Sequence, residues 1–507
     1  MKSSSLLSRW LVPLVLATGG LAAQAQPDPP ARVGSLSHVE GTVVHAPPGQ
    51  VEWKDAPLNR PVTAGDRLWS DPAARAELHL GTAVLHLDSE AFLEVIDVDQ
   101  GAFRAELHEG SAQARVRGLG SGELFEVDTP QLAFRALQAG TYRLDVDPTH
   151  GRTRVTVREG SAVVYGSGGQ ALTLRGSQQV DFAGRDLQPA TGALAAAPDD
   201  RFDRWAAERN RREDQSPAAR QFPAVVGAAQ LDMHGKWAKD RALGLVWYPN
   251  VAADWAPYRF GHWDWIKPWG WTWVDRAAWG FAPFHYGRWA LIGSRWAWVP
   301  GRLDQRPVYA PALVAFLGTS GQAPLALGSG RGIGWYPLAP GELWRPTFAA
   351  SGNYLREVNR AIGAPREASI EQAPLAAITA MRSEDFRPGV PVHRRWQRPR
   401  AADVARATGS LAPGSAGPAM SAPEGIGRAL PPAAPAWPQP MARSDSVPRA
   451  PALGGPRGEA EDPRRQWQLD REQQPQRRQS WPQPRPEPWQ APDGGVQFIP
   501  LQPRWPG

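Results

Sequence analysis

The chain has 507 residues, with 56 Lys and Arg against 50 Asp and Glu for a formal net charge of +6, and it contains no cysteine. Its length allows two or three domains, because one hydrophobic core seldom grows past about 250 to 300 residues. The missing thiols exclude disulfides, thiol catalysis, Cys-ligated zinc and a lipid-modified cysteine, leaving core burial to hold the fold together.

The N-terminus reads as an address. Lys2 and Arg9 form a basic region, Trp10 to Leu21 is mostly apolar, and Ala23-Gln24-Ala25 is a small-x-small site, so residues 1–25 are expected to be a signal peptide cut between Ala25 and Gln26. No later run approaches the roughly 20 apolar residues that spanning a bilayer requires, so the mature chain is expected to be periplasmic or secreted without a transmembrane segment. Export argues against nucleic acid as a partner. Only five basic residues are Lys, and the Arg excess fits a GC-rich genome as well as an anionic envelope polymer.

From 33 to 186 short apolar runs are separated by Gly, Asp and Pro. Ala112-Gln-Ala-Arg-Val-Arg117 and Thr153-Arg-Val-Thr-Val-Arg158 alternate strictly, as half-buried strands do, and an identical Glu-Gly-Ser-Ala at 109–112 and 159–162 reads as the same turn used twice. Ordered elements through this stretch include Val39-Glu-Gly-Thr-Val43, Gly65-Asp-Arg-Leu68, Leu78-His-Leu-Gly-Thr82, Val127-Asp-Thr-Pro130, Gly140-Thr-Tyr-Arg-Leu144 and Val155-Thr-Val-Arg-Glu-Gly160. Together they resemble the FecR-type periplasmic domain. The resemblance implies a β-sandwich or rolled sheet of short strands. In that family the domain is the outer half of a membrane-spanning sigma regulator; no counterpart to its cytoplasmic module and retained membrane helix is expected here.

Residues 199–215 carry Asp near the start and Phe202, Trp205 and Ala206 at i, i+3, i+4, which predicts a short helix linking two β domains. Residues 222–350 then hold a Trp-rich unit. Fourteen of the 24 tryptophans lie between Trp237 and Trp344. Trp255-Ala-Pro-Tyr-Arg-Phe-Gly-His-Trp263 returns as Phe281-Ala-Pro-Phe-His-Tyr-Gly-Arg-Trp289, and Trp271-Thr-Trp273 as Trp296-Ala-Trp298, with one residue lost between. Rings at alternate positions share one strand face, so the pattern predicts two Trp-faced β-hairpins. Gly244-Leu-Val-Trp-Tyr-Pro249 and Gly332-Ile-Gly-Trp-Tyr-Pro337 predict equivalent strands opening and closing the unit. This FecR-like and Trp-rich combination resembles a group of uncharacterised exported proteins of Gram-negative bacteria.

Residues 351–388 read as a mixed connecting segment, and 389–507 as a disordered Pro, Arg and Gln-rich tail, with Trp-Pro-Gln-Pro at 437 and again at 481. Such a composition favours extended, solvated chain, serving as a linker or a docking arm. The fold class is therefore all-β, with a linking helix and a disordered tail.

Signals for chemistry are scarce. No nucleophile elbow or phosphate loop occurs, so no catalytic residue and no cofactor are assigned. His79 and His86 sit an odd number apart, on opposite faces of a continuous strand, and His262 and His285 lack a third ligand, so no metal is assigned. Asp254, Asp264 and Asp275 lie among the rings and keep open a polysaccharide hydrolase, which needs two carboxyls about 5 to 9 Å apart. The rings either pack a disulfide-free core or stack on a ligand. The turn indoles Trp269 and Trp279, with Arg259, Arg276, Arg288 and Arg295, are the candidate ligand-binding residues. The expected role is a non-catalytic envelope protein binding or scaffolding a glycan or a periplasmic or membrane protein. The alternative is a FecR-type sensory component acting through a separate membrane protein.

Overall fold

The structure is a computed structural model that describes residues 28–99, 101–189, 194–301, 307–318, 324–360, 364–369, 373–408 and 497–498. Two units follow one another. The signal peptide and the Trp-Pro repeats lie outside the described residues.

The first unit is two twisted sheets around one core that includes Leu36, Leu85, Leu107, Phe134, Tyr142 and Val164. In one sheet, Gly34–Glu40, Arg75–His79, Ala83–Leu87, the end of Ala102–Val116, Gly140–Asp147, Arg152–Glu159 and Gln178–Ala183 lie side by side, antiparallel. The other runs from Val43–Ala46 through Arg67–Ser70, Phe92–Val98, the start of Ala102–Val116, Leu124–Asp128, Ala133–Ala136 and Ser161–Tyr165 to Ala171–Arg175. Its single parallel contact joins Leu124–Asp128 to Ala102–Val116.

The two Glu-Gly-Ser-Ala sites are crossings between these sheets, not reversing turns. In Ala102–Val116 the inward residues are Phe103, Ala105 and Leu107 before the site, and Ala112, Ala114 and Val116 after it. The phase of alternation has slipped by one residue, which a strand tolerates only where it changes the sheet it faces. Gly110 makes the slip at φ +82°, and a Cβ there would meet the Glu90 carbonyl at 2.5 Å. Gly160, at φ +88°, passes the chain from Arg152–Glu159 to Ser161–Tyr165 in the same way.

Helix α1 (Arg201–Gln215) follows, opened by a capping box between Asp200 and Asp203. The second unit contains the two expected hairpins. In the first, Gly261–Ile266 pairs with Gly270–Asp275, placing Trp263 opposite Trp273 and Trp265 opposite Trp271. In the second, Arg288–Ile292 pairs with Arg295–Val299, placing Trp289 opposite Trp298 and Leu291 opposite Trp296. The residue lost from the second copy shortens its loop to Gly293-Ser294, with Gly293 at φ +62°. Gly244–Pro249 and Gly330–Pro337 are both strands, but in different sheets.

The second unit extends beyond 350. Thr379–Arg382 pairs with the strand Gly330–Pro337, Phe386 and Val392 are buried in the Trp core, and Val404 and Ala407 of helix α2 (Ala401–Thr408) pack on Leu325 and Leu327. Residues 373–408 are therefore part of the domain, correcting the reading of 389–408 as tail and of 351–388 as a connector. The Arg and Pro content hid the inward residues Phe386, Val392 and Trp396.

Candidate functional site

The tryptophans are mostly core. Trp263 meets Trp273 and Trp335 edge to face at 5.4 and 5.5 Å, and Phe316 at 5.1 Å. These are favourable ring geometries, and each ring buries about 150 to 250 Å². Several indole N–H groups donate to backbone carbonyls: Trp247 to Leu231, Trp289 to Pro283, Trp298 to Tyr286 and Trp335 to Tyr258, all within 3.0 Å. A ring bonded this way is oriented for packing, not for a ligand.

The six candidate ligand-binding residues do not form one surface. Trp269 is 1% exposed, against Tyr309, and Trp279 is 5% exposed, edge-on to Trp247. Both were expected at the surface because they flank turns, but the turns fold under neighbouring segments. Arg288 is buried, donating to the Glu342 and Gly287 carbonyls and to Asn359 Oδ1. Arg259 is buried under Trp396, its guanidinium 4.0 Å from the ring centre, and donates to Thr379 Oγ1 and the Ala376 carbonyl. Burial pulls both guanidinium pKa values down to about 10. Arg276 and Arg295 are exposed, Arg295 lying over the Tyr248 ring.

The three aspartates have three environments. Asp254 is exposed, Asp264 is half-buried and accepts from the Trp265 amide, and Asp275 is buried. Asp275 Oδ2 accepts from Trp273 Nε1 at 3.0 Å and Oδ1 from the Ala277 amide at 2.9 Å. Burial outweighs these bonds and pushes its carboxyl up to about 7. His285 donates from Nδ1 to the Ala310 carbonyl, and burial pulls its ring down to about 4. Among the described residues no three His, Asp or Glu side chains converge as a metal site.

Two polar assemblies were not foreseen. In the first, α1 lies across a polar face of the first sheet. His79 pairs with Glu213 at 2.6 Å, His86 with Asn210 at 3.0 Å, Gln113 with Asp203 at 2.8 Å and Arg117 with Asp214 at 2.7 Å. Arg143 and Arg158 both reach Asp203 at 2.9 Å, and Arg209 pairs with Glu77. The helix residues recur at 203, 206, 210 and 213, a stripe of period near 3.6 that mixes Ala206 with polar groups. His79 and His86 do lie on two strands joined by a turn, yet each answers to the helix. Burial pushes the Glu77 carboxyl up, but His86, Arg209 and Ser37 more than offset this and hold it at about 2. Burial keeps the His86 ring below its ordinary value despite Glu77.

The second assembly joins the two units. Asn59, at φ +64°, donates from Nδ2 to the carbonyls of Asp275 at 3.0 Å and Ala277 at 2.6 Å. Beside it, the segment before the first strand runs along the Trp-rich unit. Tyr309 donates its amide to the Ala31 carbonyl, Ser351 bonds Asp28, and Val33 is buried in the Trp core.

Residues 66–163 match the family model described as FecR protein. The chain carries a FecR domain. In the structure the FecR sandwich is larger than the matched span, running from Gly34 to Ala183. Residues 228–342 match a family of unknown function, DUF6600, which takes in both Trp hairpins. Two crystal structures of a protein from Parabacteroides distasonis described as an anti-sigma factor are similar to 28% and 26% of this chain, at 17% and 18% identity, with TM-scores of 0.23 and 0.22. The aligned parts span 64% and 60% of those chains, less than two thirds of their length. No curated protein matches.

Proposed function

We propose that the protein is a non-catalytic, exported envelope component whose FecR domain recognises a protein partner, with the DUF6600 unit as its rigid mount. The observation that carries this reading is the edge strand Ala171–Arg175 of the FecR sandwich. It pairs with Ser161–Tyr165, and Ala171, Leu172, Thr173 and Arg175 are exposed. An edge strand offers main-chain donors and acceptors that an incoming strand can complete, while exposed side chains select the partner. The burial of Trp269 and Trp279 favours a protein over a glycan, because stacking on sugars needs accessible rings. The family match supports a FecR-type regulatory role, with the signal passed to a separate membrane protein.

The test is photo-crosslinking in cells, with a photoreactive residue at Thr173 or, as a control, at Leu291 on the DUF6600 surface. A discrete protein adduct from 173 and none from 291 is expected. No adduct from 173, or the same adducts from both positions, would contradict the reading. If the role is regulatory, deleting the edge strand's partner should change a sigma-dependent transcript set that deletion of this gene also changes.

A further inference from the structure

The loop 387–400 (RPGVPVHRRWQRPR) has five arginines, one histidine and no carboxylate. Composition suggests solvated tail, but its backbone is fixed. Gly389 donates its amide to the Trp263 carbonyl, Pro391 bridges His262, and Gln397 donates its amide to the Ala380 carbonyl. Val392 is buried in the Trp core and Trp396 is covered by Arg259. With the apolar residues turned in, Arg387, Arg394, Arg395 and Arg398 are left exposed.

Arg276 joins this strip, its guanidinium 3.1 Å from His393 Nε2. Phe260 stands next to it, 38% exposed and stacked on His393 at 6.2 Å. Arg400 pairs with Asp403 and Arg382 with Glu384. No ion pair of Arg276, Arg387, Arg394, Arg395 or Arg398 is found among the described residues. Burial and the charges of Arg276 and Arg394 hold His393 below its ordinary value.

We infer that this strip is a docking surface for the anionic phospholipid headgroups of a membrane. Guanidinium forks bind phosphate oxygens in pairs, which suits Arg better than Lys. Several basic side chains on one face add attraction to an anionic leaflet, and an exposed aromatic ring among them enters the headgroup region. The exposed Phe260 ring favours a bilayer over a soluble polyanion, which offers it no apolar environment. The pinned backbone holds His393 against Arg276 and Phe260, so little ordering is needed on binding. This surface lies on the second unit, with residues 387–400 beyond the matched span 228–342, and does not depend on how the FecR edge is used.

The test is co-sedimentation of the full chain with vesicles of phosphatidylcholine alone or mixed with phosphatidylglycerol. Four variants complete it: the quadruple Arg276→Gln, Arg394→Gln, Arg395→Gln, Arg398→Gln; a charge-matched control Arg152→Gln, Arg175→Gln, Arg241→Gln, Arg356→Gln at exposed sites elsewhere; Phe260→Ser; and Phe260→Trp. Near-ultraviolet circular dichroism verifies that the Trp core is intact. The expected result is binding to phosphatidylglycerol vesicles alone, weakened at least about tenfold in the quadruple variant and unchanged in the control. Phe260→Ser should weaken it further and Phe260→Trp retain it. Equal binding by the quadruple variant and the control would overturn the proposal. So would binding to soluble polyphosphate without binding to vesicles.

Discussion

At the residue scale, Asp275 shows how burial decides a side chain's chemistry. Its carboxyl lies among indoles, and the two N–H donors on its oxygens do not make up for lost hydration. A folded pKa of about 7 against an ordinary carboxylate value near 4 means that the unfolded chain loses this proton first. Stability contributed by the group is therefore full below about pH 4 and lost as pH rises through 7, by up to about 4 kcal/mol. Asp275→Asn should cost about 1 to 2 kcal/mol at pH 5, because an amide cannot accept from both donors. It should also flatten the fall in stability between pH 5 and 8. Urea unfolding of both proteins across that range checks this, and a variant with the wild-type slope would refute the assignment. The sequence put Asp275 among the rings, but it could not show that a carboxylate set between indoles faces the core.

Elements were legible where their pattern had one explanation. W-x-W repeats separated by Gly and Pro admit little besides a Trp-faced hairpin, and the registers of the two hairpins match the repeat. Strict alternation was less informative on the FecR strands. The run at 112–117 reads only as a half-buried strand, since polar alternation cannot distinguish water from a second polar layer. The layer is α1. Its contacts carry a pH signature opposite in sign to that of Asp275. His86, whose ring burial holds below its ordinary value, favours unfolding as pH falls below about 6.5, and Glu77, held at about 2, stops contributing as pH falls from about 4.5 towards 2. Protection factors of the α1 amides, corrected for the slower intrinsic exchange in acid, should fall on acidification from pH 7 to 4, while those of the Trp hairpins hold. Uniform exchange across both would contradict the helix being the labile element. Asp203→Ala, which removes the acceptor shared by Gln113, Arg143 and Arg158, should cost about 3 kcal/mol and release the helix at neutral pH.

On the scale of the whole molecule, the FecR domain and DUF6600 are joined by more than the chain between them. Asn59 reaches across to the carbonyls next to Asp275, and Val33 enters the Trp core before the first FecR strand begins. The two units should therefore unfold together. Asn59→Ala should cost about 1 to 2 kcal/mol and split a single calorimetric transition into two; a wild-type protein that already shows two independent transitions would contradict this coupling. Domain order was readable from composition, but the seam was not, because it depends on one asparagine in a left-handed turn and a short strap. The central claim is that the tryptophans of DUF6600 form a core and not a binding face. It is tested most directly by fluorine NMR of 5-fluorotryptophan-labelled protein with a soluble paramagnetic agent, each line assigned by Trp→Phe substitution. Narrow, unbroadened lines are predicted for Trp263, Trp269, Trp273, Trp289, Trp298 and Trp335. Strong broadening of Trp269 together with its neighbours would show an exposed aromatic row and contradict the account.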